Sequence, residues 1–471
     1  MLSVLHRSGV ISVAHFRFAP AAILFSVVLM VAALADAFAA NNENVGKALK
    51  SLMAGPPVEM GSRFANANYE SIKAFYGTRS FKPVWSRDSG PKGKAKALFA
   101  ELRASVTHGL SPKFYGVSTL KKLMKSKVPA DLARMDLLFT GALVEFSHDL
   151  LNGRLTNDTE NRSNRIQPVQ MAPADLVEQA AAAGNLRVML GGIVGDDRRY
   201  VRLVSKMVEY QRIGSPGKWP SKPLPKDLDP TAESDHMLAV RRMLALTGDL
   251  EFQEMKSSGP IDRPLSDALA RYQRRQGVAS NGKLDARTIA LLNTPLTTRV
   301  NLAKVNLERR RWQNRPANDN LLYLNLVDGQ LKLLVNDKTT ALVEVANDNG
   351  VPDLPTFYGD VVSIERLGSS SKPRIRLQFL RDKLAGDDTT KTGELVLDDT
   401  KGKARALLQQ SLLAADKASL KKLGAGKKMK LATPVDLFVT YLTVWATRDG
   451  RIQFRPDVLN RDAGVMKRLG L

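Results

Sequence analysis

A glycine followed by an acidic residue marks the stretch in which catalytic chemistry would first be sought. Residues 391–413 read KTGELVLDDTKGKARALLQQSLL, a Thr-Gly pair and a short apolar run that lead into an amphipathic segment. This strand-to-helix layout is typical of active sites that carry a nucleophile just after the glycine. Here that residue is Glu394, and the chain of 471 residues contains no cysteine. Because a carboxylate attacking an amide would give a labile anhydride, Glu394 is a poor nucleophile.

The stretch also lacks a general base. Acyl transfer by a side-chain nucleophile needs a histidine or an equivalent base within hydrogen-bond reach. The chain has 5 histidines, and all of them precede residue 237: His6, His15, His108, His148 and His236. No two of them have the i, i+4 spacing of a metal site, so we expect no metal and no cofactor.

The apolar periodicity divides the chain into units. Spacings of three and four predict a helical scaffold domain over residues 67–230 and a three-helix module over 231–316. After residue 316 the period changes to two, which predicts a shortened, mostly β domain over 317–471 with hairpins at its Asp-Gly turns. Residues 41–66 are polar and contain glycine and proline, so they are expected to be a linker. The predicted fold class is therefore multidomain α+β.

The first 40 residues are typical of an export signal. They begin with a short basic segment, continue with an apolar run and end with a small-residue site at Ala37–Ala40. The segment is either a cleaved signal peptide or an uncleaved anchor in the inner membrane, which would be the chain's only membrane contact. We therefore expect an exported, periplasmic protein. Its net charge of +23 favours anionic partners, and export argues against nucleic acid.

Motifs along the chain carry a family resemblance. In order they are YESIKAFYGTRSFKPVW (69–85), DLLNGR (149–154), LARYQRRQGVASNGKLDARTIALLN (269–293), NLERRRW (306–312) and a terminal segment at 434–462. Together they resemble the large, multidomain murein L,D-transpeptidases of Gram-negative bacteria. In that family a helical scaffold and a peptidoglycan-binding module precede the catalytic domain. The resemblance covers nearly the whole chain after the export segment.

The resemblance assigns roles to the opening stretch. Active members carry a Ser-x-Gly-Cys-apolar-Arg motif whose thiolate forms an acyl-enzyme before transfer to an amine. Aligned with that motif, Gly393 keeps the glycine, Glu394 occupies the cysteine position and Val396 occupies the arginine position. Lys391-Thr392 replaces the preceding serine-histidine pair. The stretch is therefore interpreted as the remains of an active site, and no catalytic residue is expected.

Two interpretations apply to the module. By resemblance, Tyr272, Gln273, Asn281, Gly282 and Thr288 would lie near a glycan-binding groove. The same Asn281-Gly282 pair is also typical of a tight turn that needs a positive φ. Basic runs such as NLERRRW are expected to be solvated helix faces, which leaves their arginines available for the carboxylates of stem peptides. These arginines are Arg271, Arg274, Arg275, Arg309, Arg310 and Arg311.

These observations lead to one expected function and two alternatives. The chain is expected to be a non-catalytic cell-envelope protein that binds peptidoglycan, or an active cell-wall synthase or hydrolase, and acts in peptidoglycan remodelling. The first alternative is an active murein L,D-transpeptidase with a non-cysteine nucleophile. The second is a general binder of anionic polymers. Nucleic acid is not expected as a partner, because no aromatic stacking platform lies among the basic runs.

Overall fold

A computed structural model gives the fold over most of the chain. The described residues are 43–55, 58, 60, 63–155, 169–195, 197–215, 218–312, 320–327, 329–336, 338–346, 356–367, 374–381, 392–399, 428–430, 435–440, 444–446, 452–454 and 459–471. The predicted export segment and the predicted helix at 401–416 lie outside these ranges. The described residues form helical and β units, which confirms the α+β prediction. None of their helices combines the length and apolar character needed to cross a membrane.

The N-terminal unit is helical. Its helices are α1 (Glu43–Ala54), α2 (Arg63–Ala67), α3 (Tyr69–Thr78), α4 (Gly93–Ala104), α5 (Val117–Leu123), α6 (Pro129–Asn152), α7 (Pro173–Ala182), α8 (Leu186–Val194) and α9 (Arg198–Ile213). A short antiparallel ribbon, β1 (Ser86–Arg87) and β2 (Gly90–Pro91), lies between α3 and α4. Helix α6 begins with a proline in its first turn and ends at Gly153. Most of its 24 residues are buried, so the other helices pack around it.

Helix α1 corrects the predicted linker at 41–66. Val45, Leu49 and Met53 recur every four residues and therefore share one face of the helix. All three are buried in the same core as α6, which α1 contacts directly. Of the glycines and prolines that suggested a linker, Gly46 lies within this helix and the others come after it in the sequence. Residues 43–54 consequently belong to the helical unit.

The module has a hydrophobic core of its own. Its helices are α10 (Asp235–Leu246), α11 (Arg263–Gln276) and α12 (Ala286–Leu292). Ser234, Asp262 and Asp285 cap their N-termini by accepting backbone N–H groups. Leu224 also belongs to this core. Its backbone N–H donates to Asn293 Oδ1 at 2.8 Å, and Asn293 Nδ2 donates back to its carbonyl at 2.9 Å. The module therefore begins before the predicted boundary at 231.

Helix α13 (Leu296–Arg311) follows the module and contacts most of the molecule. Nearly every residue from Arg299 to Arg311 is buried, including Glu308 and the arginines, whereas Lys304 is half-buried. It packs against α9, against the end of α6 and against the C-terminal helix α14 (Leu459–Leu469). A helix buried on all sides needs partners for its polar groups, and those partners are described with the site below.

The β domain curls into a closed sheet. Its strands are β3 (Asn320–Asn325), β4 (Gln330–Val335), β5 (Lys338–Ala346), β6 (Phe357–Leu367), β7 (Arg374–Arg381), β8 (Thr392–Asp399), β9 (Lys428–Lys430) and β10 (Asp436–Thr440). Their order is β10-β3-β4-β5-β8-β7-β6-β9, and β10 also pairs with β6. Strand β10 runs parallel to β3 and antiparallel to β6, so it closes the ring. Alternate residues point inward and fill the interior with Leu, Ile, Val and Phe.

The hairpin predictions are confirmed where the structure describes them. Strands β3 and β4 pair antiparallel up to Asn325 and Gln330, and Gly329 adopts a φ of 60° between them. Strands β11 (Val444–Ala446) and β12 (Ile452–Phe454) also pair antiparallel, although their predicted Asp449-Gly450 turn lies outside the described residues. The parallel pairing of β10 with β3 and the helix α14 were not predicted from the sequence.

Candidate functional site

Glu394, at the expected nucleophile position, lies on the outer face of the closed sheet. Along β8, Leu395 and Leu397 are buried in the interior, whereas the Glu394 side chain is 48% exposed. Its carboxylate lies 3.2 Å from Nε of Arg376 on β7. Arg376 is paired in register with Val396, so the expected nucleophile and arginine positions share this outer face. The sheet interior beneath them is filled with apolar side chains.

Arg376 connects Glu394 to a second carboxylate across three strands. Its Nη1 donates to Glu365 Oε2 on β6 at 2.8 Å, and Glu365 is buried. Beside this pair, Ser363 Oγ lies within 2.9 Å of Gln378 Oε1 and donates to it. Cross-strand ion pairs and hydrogen bonds of this kind stabilise a sheet. This arrangement stabilises the sheet. The Glu394 carboxylate is engaged with the Arg376 guanidinium, and the chain has no histidine after residue 236.

The histidines described by the structure lie in the helical part of the chain. His148 is buried, stacks on Phe64 with ring centroids 4.2 Å apart, and lies 3.8 Å from Asp149. His108 Nδ1 lies 3.1 Å from the Tyr200 hydroxyl. His236 lies in the first turn of α10. Within the described ranges, no group of three His, Asp or Glu side chains is arranged to bind a metal ion.

Gln273 lies at the centre of the residues predicted to line a glycan groove. Its Nε2 lies 2.8 Å from Asn281 Oδ1 and 2.9 Å from Thr288 Oγ1, and its Oε1 accepts from the Gly282 N–H at 2.8 Å. Gln273, Gly282 and Thr288 are buried, whereas Asn281 is exposed. The predicted residues therefore do meet, but internal hydrogen bonds tie the loop to α11. Asn281 is the one whose side chain faces solvent.

Tyr272 and the turn glycine also have structural partners. The Tyr272 hydroxyl is buried and accepts from Arg299 Nη2 on α13 at 3.0 Å. Gly282 has a φ of 69°, and a Cβ there would lie 2.5 Å from Ser266 Oγ. Tyr272 consequently joins the module to α13, and the glycine is required by the close approach of the loop to α11.

The basic runs are mostly buried, which corrects the expectation of solvated faces. In α13, Arg309 pairs with Asp462 of α14, and Arg310 pairs with Asp197 at the start of α9. In α11, Arg275 forms a buried ion pair with Asp249. These arginines, together with Arg311 and Arg271, bind groups within the chain and are not available to stem-peptide carboxylates. Arg274 is exposed and remains available. The sequence could not show this, because the acidic partners lie far away along the chain.

Arg311 and Glu308 connect α13 to the helical unit. Arg311 lies 3.1 Å from Glu308 Oε2 and 3.1 Å from the Tyr200 hydroxyl, and it also donates to the His108 carbonyl. Glu308 Oε1 accepts from the Leu155 backbone N–H at 2.7 Å. The Glu308 carboxylate and the Arg311 guanidinium are both buried. Each charge is therefore compensated by the other and by these hydrogen bonds.

Burial and ion pairing shift the pKa values of groups at this joint. Burial, assisted by the Arg311 guanidinium, lowers the pKa of His108 to about 4, which keeps the imidazole neutral at pH 7. Burial alone would lower the pKa of Arg310, but the negative charge of Asp197 acts in the opposite direction. On balance the pKa of Arg310 is raised. Burial would likewise raise the pKa of Asp197, and Arg310 together with backbone N–H groups lowers it instead. The Asp197–Arg310 pair is therefore ionised.

The YESIKAFYGTRSFKPVW motif folds around a buried carboxylate. Asp136 on α6 accepts from the backbone N–H groups of Val84, Trp85 and Ser86 at 2.9, 2.8 and 2.7 Å, and from the Tyr76 hydroxyl at 2.7 Å. Burial raises the pKa of Asp136. The end of the motif is thus tied to α6, and its role is structural.

The DLLNGR motif contributes a second buried charge cluster. Arg154 Nη1 donates to Asp149 Oδ2 at 3.0 Å and to Glu145 Oε1 at 3.3 Å. The Tyr115 hydroxyl donates to Asp149 at 2.9 Å, and Glu145 accepts from the Phe64 backbone N–H at 2.8 Å. These contacts connect the end of α6 to three other segments of the helical unit.

One comparison with known families places the helical unit. Residues 70–207 match the family model described as Scaffold domain. The matched range contains the Asp136 and Asp149 clusters and ends within α9, before the module and the sheet. No sequence among the curated proteins matches the chain. The chain therefore contains a Scaffold domain, and the assignments made for its other parts enter as proposals.

Proposed function

We propose that this chain is an exported, non-catalytic protein of the periplasm that binds peptidoglycan, or an active cell-wall synthase or hydrolase, and positions it during remodelling. The module would be a peptidoglycan-binding-like unit, and the sheet a degenerate relative of the L,D-transpeptidase catalytic domain. The observation that carries the proposal is the engagement of Glu394. At the position where the resembled family has its cysteine, this chain has a carboxylate paired with Arg376 on a sheet whose interior is filled.

A positioning role is supported by the way α13 joins the units. Its arginines reach α9 and α14 through buried ion pairs, and Arg299 reaches Tyr272 of the module. Buried pairs of this kind fix geometry because breaking one leaves an uncompensated charge. The chain would therefore present the module and the sheet in a fixed arrangement, which suits a protein that places one wall component relative to another.

Binding to peptidoglycan sacculi tests the proposal directly. The full chain is incubated with purified sacculi and centrifuged, and the protein in the pellet is quantified at low and at physiological salt. We expect binding at both, with a decrease at the higher salt because exposed charges are screened. The fragment 231–316 expressed alone is unsuitable for this assay, because it would lack the partners of the α13 arginines that are buried in the full chain.

A charge-reversal variant locates the electrostatic part of this binding. Arg263 and Arg274 are exposed on α11, so the double variant Arg263→Glu/Arg274→Glu should lower sedimentation at low salt. The matched control, Lys113→Glu/Lys121→Glu, makes the same change of net charge at exposed sites of the helical unit. Equal losses in both variants would indicate that net charge alone attracts the protein. Absence of the wild-type chain from the pellet at every salt concentration would contradict peptidoglycan binding.

A further inference from the structure

A cleft of about 690 Å³ lies where the helical unit, the proline-rich connection and the module meet. The end of α9, with Tyr210, and the start of α13, with Leu296 and Val300, line two of its sides. The proline-rich connection spans residues 215–230 of the sequence, and its residues 219–223 form the third side. Clefts of this volume are typical of small-molecule sites, and such sites occur preferentially where structural units meet.

The walls of the cleft are largely preformed. Trp219 is half-buried and packs against the cores of both the module and the α9–α13 pair. Pro220, Pro223 and Pro295 line the cleft beside it, and a proline ring fixes its backbone φ. A ligand would therefore meet an aromatic side chain on a backbone with little freedom, which reduces the entropy lost on binding.

Polar groups lie at the mouth of this apolar cleft. Gln211, Ser221, Lys222 and Thr297 line it and are exposed. Among the described residues, none of these four side chains has a hydrogen-bond or ion-pair partner. No acidic residue is among the described lining, so Lys222 gives the mouth a positive charge. Helix α13 begins at the same place with Pro295, which offers no side-chain cap, and the positive end of its dipole adds to that charge.

We infer that this cleft binds a muropeptide fragment, with the apolar face of a sugar ring against Trp219 and a stem-peptide carboxylate beside Lys222. This inference rests on the proposed function, because it names the ligand chemistry that the protein would take from the wall. An aromatic side chain offers a flat apolar surface to the C–H groups of a pyranose ring. A single lysine at the mouth suits an isolated carboxylate, whereas a polyphosphate or a nucleic acid strand would require several cations.

Calorimetry on the purified full chain tests the inference. The probe is a disaccharide tetrapeptide with free carboxylates, and a second probe has the same structure with its carboxylates amidated. The wild-type chain should bind the acidic probe about tenfold more tightly than the amidated one, as expected for one charge-assisted hydrogen bond. Lys222→Glu should abolish that preference. Thr297→Trp, which narrows the cleft from an exposed position without adding charge, should weaken the binding of both probes.

The control variant is Lys226→Glu, which makes the same charge change in the same connection at an exposed position outside the lining. It should bind both probes as the wild-type chain does. Absence of probe binding to the wild-type chain, or unchanged affinity in folded Lys222→Glu and Thr297→Trp, would overturn the inference. The two proposals fail separately. If the variants and the wild-type chain sediment equally with sacculi while the probes do not bind, only the cleft assignment is wrong.

Discussion

Glu308 accepts a hydrogen bond from the backbone N–H of Leu155 at 2.7 Å, although the two residues are 153 positions apart. The same carboxylate lies 3.1 Å from Arg311. This contact fixes helix α13 to the segment that follows α6. The arginines of the basic run in α13 are buried beside it, where they bind groups of the helical unit and of the C-terminal helix.

Removing Glu308 should strongly destabilise the protein. In Glu308→Ala, Arg311 stays buried without its carboxylate, and the Leu155 N–H loses its acceptor. Breaking a buried ion pair in this way costs about 3–5 kcal/mol of unfolding free energy. Urea denaturation followed by circular dichroism measures the loss. The control is Glu178→Ala, which removes an exposed glutamate from α7 and should stay within about 0.5 kcal/mol of wild type. Similar losses in both variants would contradict the role of this joint.

Gly153 should not tolerate a side chain. Its φ is 80° and its ψ is 156°, and a Cβ there would lie 2.6 Å from Glu308 Oε1 and 2.8 Å from Trp312 Nε1. Backbone strain alone costs about 1–3 kcal/mol, and displacement of the joint adds to it. Gly153→Ala should therefore lower the midpoint of thermal unfolding. Gly184→Ala is the matched control, because no atom lies within 4 Å of a Cβ there and no positive φ is required. A Gly153→Ala protein as stable as the wild type would contradict this account of the joint.

His108 should make stability dependent on pH in the mildly acidic range. Its pKa is about 4 in the folded protein against 6.5 for an ordinary histidine, because burial and Arg311 disfavour the imidazolium. Between these values the unfolded chain binds more protons than the folded one, so stability falls as the pH decreases from about 6.5 to 4. The loss contributed by this group is about 3 kcal/mol in full. Above pH 7 the contribution is constant.

Urea denaturation at several pH values between 7 and 4.5 checks this dependence. His108→Gln keeps a neutral side chain of similar reach. Its unfolding free energy should depend less steeply on pH than that of the wild type over that range. An identical pH dependence in the two proteins would mean that His108 binds protons as readily in the folded as in the unfolded state, contrary to its half-buried position against Tyr200.

Introducing a thiol at residue 394 should not produce catalysis. Glu394→Cys would place a cysteine on the outer face of the sheet, beside Arg376, with no histidine in the remainder of the chain. Members of a catalytic constellation act as a unit, so a nucleophile alone gives little rate. The variant is incubated with disaccharide tetrapeptides, and mass spectrometry is used to search for 3-3 crosslinked dimers. Substantial turnover would show that a base and a cleft exist that the outer-face geometry does not provide.

Local patterns were sufficient to predict many of the elements, although not α1 or α14. The four-residue spacing of Val45, Leu49 and Met53 is as regular as that of the predicted helices, so α1 could also have been found from the sequence. The Asp-Gly and Asn-Gly turns were found because positive φ values restrict the residue type, as Gly329 and Gly282 show.

The charged residues could not be placed in this way. Arg309 and Arg310 read as a solvated run, since the sequence does not reveal that Asp462 and Asp197 lie beside them. The hydrogen bonds of Gln273 could not be predicted either, because its partners in the turn become visible only when the loop folds onto α11. Long-range pairing, such as that of β10 with β3, is likewise a property of the closed sheet rather than of either strand.

One measurement tests the central claim, that the chain binds the wall without processing it. The purified full chain is incubated with sacculi and centrifuged, and the pellet is both assayed for protein and digested to muropeptides for mass spectrometry. We predict protein in the pellet and a muropeptide profile identical to that of untreated sacculi. New 3-3 crosslinks, or a pellet without protein, would contradict the account.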